Sequence, residues 1–247
     1  MPTHAQPAGP TAGAALPDGA CQSGAEGVEL CQRSVRLGAG AAPAQVLIVR
    51  MDPAAVRLRV AYAPEAPAPL SAWFRQSQPL LALNGGFFDP HYRSTALLIS
   101  DGVAHGQSYT GFGGMLSVAS DGQLGLRSLR DQPYDSAESL QQALQSFPML
   151  IFPGGQVAPI EEDGARARRS AVALDRSGRL LVIVCPTSSF TLRGLADWLA
   201  QSDLDIERAL NLDGGASTGL FLNAGSARAQ IDSFDRLPIV LLVEAAR

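Results

Sequence analysis

The sequence predicts an α+β fold in a single domain, built on an extensive mixed or antiparallel β-sheet with a few helices. Three observations carry this. Short apolar runs recur along most of the chain, and several alternate apolar and polar residues as half-buried strands do. Asp101-Gly102 and Asp121-Gly122 separate consecutive runs as hairpin turns do. Only two stretches, Ser136–Ser146 and Leu192–Ser202, combine helical spacing with a start signal. The 247 residues suffice for one sizeable core. No repeat or linker divides them, so the domain is expected over 26–247, behind a flexible Ala, Pro and Gly-rich tail over 1–25.

Val56–Tyr62 alternates Val56, Leu58, Val60 and Tyr62 with Arg57, Arg59 and Ala61, which marks a half-buried strand. Gln45–Arg50 is expected as its hairpin neighbour, with Asp52-Pro53 at the turn. The prolines of Ala63–Pro69 make that stretch a loop. Leu80–Asn84, Ala96–Ser100 and Met115–Ser120 read as strands, the last followed by a partner over Gln123–Leu129. Asp135 with Glu138 forms a capping box for the first helix, which Pro148 stops. Thr191 caps the second, whose apolar face is Leu192, Leu195, Ala196 and Leu199. Met149–Phe152, Ser170–Asp175, Arg179–Cys185, Ala209–Asp213, Gly219–Asn223 and Pro238–Glu244 complete the strands.

Composition narrows the function. The chain is 46% hydrophobic and 17% charged with a net charge of −4, so it is globular and has no basic surface suited to nucleic acid. No apolar run is long enough to span a bilayer, and residues 1–20 lack the apolar segment of a complete signal peptide. The three cysteines are expected as free thiols, Cys185 being buried at the end of an apolar run. A Cys21–Cys31 disulfide is the alternative in an oxidising compartment.

The chemistry concentrates in Asn211–Leu220, "NLDGGASTGL". Gly215-Ala216-Ser217-Thr218-Gly219 satisfies G-x-S-x-G, but a nucleophile elbow needs a helix after the serine and a histidine further on. Here the following Leu220–Asn223 alternates like a strand, and His4, His91 and His105 all precede Ser217. The stretch reads instead as a strand that delivers Asp213 to a sheet edge. Gly214 and Gly215 let the backbone approach a ligand, and Ser217 and Thr218 add hydroxyls. Leu81–Pro90 has the same grammar: a buried strand, Asn84, the Gly85-Gly86 pair, then Phe87 and Phe88. Arg169, near the start of the Ser170–Asp175 strand, offers the forked donors that suit a phosphate.

Taken in order, these motifs resemble those of the phosphodiester glycosidase family. They are Asn84-Gly85-Gly86-Phe87-Phe88, Pro148-Met149-Leu150, Arg169-Ser170-Ala171 and Asn211-Leu212-Asp213-Gly214-Gly215-Ala216-Ser217. The resemblance spans roughly Val28 to the C-terminus. Ser170 stands where the family pattern has Thr, and Ala216 where it has a third Gly. The resemblance implies hydrolysis of a sugar-1-phosphodiester in glycan or exopolysaccharide metabolism, in the periplasm or outside the cell. Asp213, Arg169 and Asn84 would be catalytic. Gly85, Gly86, Phe87, Gly214, Gly215, Ser217 and Thr218 would bind a sugar-phosphate or polysaccharide substrate. No cofactor is required; a Ca²⁺ near Asp213 has no loop signature behind it. The competing expectation is a non-catalytic polysaccharide-binding module. A metal-dependent phosphatase ranks third, because histidines are sparse.

Overall fold

A computed structural model describes residues 19–38, 40 and 42–246. Most of the expected tail therefore lies outside the described residues. Its end does not: Cys21–Ser23 is an edge strand, pairing Cys21 with Cys31. These two cysteines form a disulfide, which corrects the expectation of three free thiols. Cys185 is free and buried, and burial pushes its thiol pKa up.

Every strand pairing among the described residues is antiparallel, so the fold is richer in β than the α+β expectation, with two α-helices. The largest sheet has eight strands, in the order Cys21–Ser23, Val28–Val35, Ala44–Met51, Leu180–Phe190, Ala167–Asp175, Ile206–Asn211, Met149–Phe152 and Gln156–Val157. A five-stranded sheet runs Ala227–Ile231, Leu220–Ala224, Leu81–Asn84, Ile239–Ala245 and Val56–Tyr62. A second runs Val103–His105, Leu98–Ser100, Leu140–Ser146, Gly114–Ala119 and Leu124–Ser128.

Side-chain alternation assigns each strand two faces. Val172, Val182 and Leu210 of the large sheet meet Leu81, Leu83 and Leu241 of one small sheet and Leu116 and Leu144 of the other. Their neighbours Ala171, Ile183 and Ala209 turn the opposite way, against Leu195, Ala196 and Leu199 of the Leu192–Gln201 helix. Ala82 and Val240 likewise back onto the Leu70–Ser77 helix. The main core is thus a layer between sheets, and the two helices close its outer faces.

Three local expectations fail. Gln45–Arg50 does not pair with Val56–Tyr62: the first lies between Val28–Val35 and Leu180–Phe190, the second against Ile239–Ala245. The loop at Asp52-Pro53 crosses from one sheet to another. Leu70–Ser77 is an unanticipated helix, starting after Pro69 with no side-chain cap. The expected Ser136–Ser146 helix is largely replaced by the Leu140–Ser146 strand. Half of its capping box forms: Asp135 N–H donates to Glu138 Oε1 at 2.8 Å, while Asp135 Oδ1 accepts from Ala137 N–H and not from Glu138. Yet Leu140–Ser146 is central in its sheet, and its glutamines are fixed by distant partners. Gln142 Oε1 accepts from Val60 N–H at 2.9 Å, and Gln145 Oε1 from Tyr109 N–H at 2.8 Å. Tertiary hydrogen bonds override helix propensity. The Leu192–Gln201 helix forms as expected, with Gly194 N–H donating to Thr191 Oγ1 at 3.0 Å.

Candidate active site

The ends of two strands from different sheets meet at Asn84 and Asp213. The Asp213 N–H donates to Gly85 O at 3.1 Å, and Asn84 Nδ2 donates to Asp213 O at 2.7 Å. Asn84 Oδ1 in turn accepts from Ser170 Oγ at 2.7 Å and from Gly219 N–H at 3.2 Å. Asn84 is fully buried and both ends of its amide are engaged. Expected among groups that touch substrate, it instead lies beneath the site and ties together the backbone at Asp213 and Gly219 and the Ser170 hydroxyl. Ser170 fills one of these contacts, so the hydroxyl common to Ser and Thr suffices at that position.

The glycines permit this approach. A Cβ on Gly85 would lie 2.5 Å from Ile239 Cγ2, and one on Gly214 would lie 2.9 Å from Arg168 O. Two of their N–H groups, expected as fixed donors to substrate, are already occupied. Gly85 donates to Ile239 O at 3.0 Å and Gly214 to Asp213 Oδ1 at 2.8 Å. Gly215 turns at φ +60° with open space where a side chain would stand. Thr218 is enclosed, and its Oγ1 is buried without a partner; Ser217 is also buried.

The Asp213 side chain is half-buried. Burial pushes its pKa above the ordinary carboxylate range, hydrogen bonds from Ser217 and Gly214 oppose the rise, and the negative charge of Asp235 adds to it. Asp235 comes from a loop lying on the Gly214–Ser217 turn: Phe234 N–H and Asp235 N–H both donate to Ala216 O, at 2.7 and 3.1 Å.

Arg169 continues the strand paired with Asp213's own, opposite Cys185. Its guanidinium is committed to backbone, Nε to Phe190 O at 3.2 Å and Nη2 to Ala165 O at 2.7 Å. Burial lowers its pKa, opposed by Asp163 and Cys185. Arg168, which sequence reasoning passed over, points the other way, as period-two alternation in a strand requires. It is buried; Nη2 donates to Asp232 O at 3.1 Å, and its guanidinium carbon lies 4.2 Å from the centre of the Phe234 ring.

On the other flank is a group of aromatic rings. Phe87, directly after the Gly85-Gly86 turn, packs on Phe147 at 4.7 Å, and Tyr109 bridges to Phe112 at 4.6 Å. Phe112 and Phe147 are 50% and 40% exposed, so the rings present an apolar platform to solvent. Asn211 Nδ2 ties it to the site by donating to Phe147 O at 2.9 Å. An apolar cleft of about 210 Å³ continues from Phe112 and Phe147 to Met149 and Ile160. Among the described residues, no cluster of three or more metal-ligating side chains occurs and no helix is long and apolar enough to cross a membrane.

Asp213 thus lies at the seam between two antiparallel sheets, flanked by the Gly85-Gly86 and Gly214-Gly215 turns and by exposed rings. The chain belongs to the phosphodiester glycosidase family, matching it over residues 77–243. That span includes Asn84, both arginines and the Asp213 turn.

Its fold is shared with the zebrafish N-acetylglucosamine-1-phosphodiester alpha-N-acetylglucosaminidase catalytic domain, a structure auto-inhibited by pro-peptide. The TM-score is 0.68 at 20% identity, covering 92% of this chain and 88% of that one. A hypothetical protein from Synechocystis is similar at a TM-score of 0.66 and 17% identity, over 90% of this chain and 62% of that one. In sequence, the chain is 26% identical to the uncharacterized protein YigE of Escherichia coli (strain K12), over 70% of this chain and 67% of that one.

Proposed function

We propose that this chain hydrolyses the bond between a sugar's anomeric carbon and a phosphodiester oxygen, releasing free sugar and a phosphate monoester. The observation that carries the reading is Asp213: a half-buried carboxylate held by Asn84 and its own turn, within a chain of this family. Its substrates are sugar phosphates of glycan or exopolysaccharide metabolism.

The leaving group decides how many catalytic carboxylates are needed. A phosphate monoester, with a second pKa of about 6, departs far more readily than a sugar alkoxide. Ordinary glycosidases need a carboxylic acid to protonate the leaving oxygen and a second carboxylate opposite. Here one carboxylate at the anomeric carbon suffices, with donors around the phosphate. Asp213 acts there, as nucleophile or as the base that takes a proton from the attacking water. The C1–O bond to phosphorus breaks, its electron pair leaves with the phosphate, and oxygen from water ends on C1. Arg169 retains Nη1 to raise the positive potential on this side, while Asn84 holds the Asp213 backbone. The Phe87 and Phe147 rings supply a face on which a sugar stacks. The Cys21–Cys31 disulfide supports a periplasmic or extracellular setting, where such bonds persist.

One observation favours the second reading, a polysaccharide-binding module: Asp213 Oδ1 already accepts from its own turn at 2.8 Å beside exposed rings. The test is release of free sugar from a panel of sugar-1-phosphodiesters by the parent protein and by Asp213→Asn. Turnover by the parent, lost in Asp213→Asn by a hundredfold or more, about 2.7 kcal/mol of barrier, supports the hydrolase. Glycan binding without release supports the module. Equal turnover by both proteins removes Asp213 from the mechanism.

A further inference from the structure

Arg168 carries a charge for which the structure gives no sufficient reason. It is 6% exposed, and two of its three nitrogens, Nε and Nη1, are buried without a hydrogen-bond partner. The third donates only to the Asp232 carbonyl. No carboxylate lies within ion-pair distance among the described residues. The nearby Asp232 turns its Oδ1 to the N–H groups of Ser71 and Ser233, both at 3.0 Å. A buried cation without a counter-charge is expensive, and such groups are normally paired.

The surroundings indicate what would pair with it. Gly214, the residue after Asp213, lies against Arg168 O. Thr218, in the same turn, keeps Oγ1 buried and unpartnered. Gly219 abuts Ser233, beside Asp232. Unused donors thus collect next to the Asp213 turn. Their cover is Phe234, 79% exposed, whose ring lies over the guanidinium. A phenyl ring so exposed is a poor partner for water.

We propose that Arg168 is the phosphoryl-binding subsite of this site, and that the Phe234 ring covers it until an anionic phosphate ester takes its place. The inference rests on reading the cleft as a sugar-phosphate site. Nε–H and Nη1–H, both without a protein partner, point to opposite sides of the guanidinium, and each can donate to an anionic oxygen, an arrangement that a lysine's single ammonium cannot reproduce. Arg169, expected in this role from sequence, has two of its nitrogens occupied by carbonyls.

The experiment is calorimetric titration with inorganic phosphate, standing for the released monoester, and with dimethyl phosphate, standing for the diester. It compares the parent with Arg168→Gln, Arg168→Lys, Arg169→Gln and Phe234→Ala. Arg168→Gln should weaken phosphate by about tenfold or more, as loss of a charged hydrogen-bond pair implies. Arg168→Lys should fall between, and Phe234→Ala should bind at least as well as the parent. If Arg168→Gln does not fold, the Arg168→Lys and Phe234→Ala results still decide. Three outcomes overturn the proposal: no binding by parent and Phe234→Ala alike, parent-like binding by the Arg168 variants, or loss of binding in Arg169→Gln alone. Sugar release on a phosphodiester panel separates the two ideas. Turnover with unchanged KM in Arg168→Gln would sink the subsite and leave the hydrolase intact. Phosphate binding that depends on Arg168, without any turnover, would do the reverse.

Discussion

The side-chain amide of Asn84 donates 2.7 Å to the backbone carbonyl of Asp213, a residue 129 positions later in the chain. The contact joins the end of the central strand of a five-stranded sheet to the chain just beyond an interior strand of the eight-stranded one. The position of the candidate carboxylate therefore depends on how the two sheets dock.

Asn84→Ala should be among the most damaging single changes at the site. It leaves the Ser170 hydroxyl, the Gly219 N–H and the Asp213 carbonyl without the amide they share. Each unsatisfied buried group costs about 1–3 kcal/mol. Urea unfolding should show a loss of several kcal/mol, with Ser170→Ala losing less. A midpoint unchanged from the parent would mean that water replaces the amide without penalty.

Asp213→Asn should lower activity and raise stability at neutral pH. The native carboxyl holds its proton more tightly than an unfolded one, because burial raises its pKa. Its contribution is intact below the ordinary carboxylate pKa and is lost as pH rises through the raised one. The variant should melt higher than the parent at neutral pH, with the difference vanishing in acid. Parent activity should have an acid limb above the ordinary carboxylate range. Asp235→Asn should move that limb to lower pH by removing a neighbouring negative charge. A limb that does not move shows that Asp235 is not coupled to the titrating group.

Gly214→Ala should separate geometry from chemistry. Its added Cβ meets Arg168 O at 2.9 Å, so the turn must shift although no reactive group is lost. Turnover should fall and the thermal midpoint should fall with it, because the clash is with backbone and not with a side chain that can swing away. Parent-like turnover would show that the turn tolerates displacement.

Cys21→Ala should cost on the order of 2–3 kcal/mol under oxidising conditions, since the bridge closes a short loop of 10 positions. Because the strand it secures lies at the sheet edge away from Asp213, sugar release should persist. Comparing urea midpoints of parent and variant with and without reductant checks this; equal midpoints in both conditions would show that the bridge contributes nothing.

What could be read from sequence was what local patterns encode. Thr191 and the spacing of Leu195, Ala196 and Leu199 specify their helix within eleven residues. Asp135 and Glu138 encode a real turn, but the fate of Leu140–Ser146 is decided by Val60, Asp101 and Tyr109, which no local window contains. The Asp52-Pro53 loop resembled a hairpin because it is short, while strand partners are chosen by burial across the whole chain. At the site, the repeated strand-to-Gly-Gly grammar marks Asn84 and Asp213 as equivalent positions at strand ends; that they meet is shown by their hydrogen bond. The grammar could not foretell that Asn84 faces inward, or that Arg168 is enclosed while Arg169 holds backbone carbonyls. Those assignments depend on strand faces and on a loop at Asp232–Arg236 that carries no motif.

Strand Leu81–Asn84 lies between Leu220–Ala224 and Ile239–Ala245. Both of its hydrogen-bonding partners are translated more than a hundred residues after it. A nascent chain therefore carries an apolar strand with two open edges until its last segments emerge, and such edges invite pairing with other chains. The carboxylate turn, held from earlier in the chain by Asn84 and Gly85, acquires its contacts with Phe234 and Asp235 only at that final step. The order of synthesis thus delays completion of the candidate site until the sheet that could aggregate has been closed.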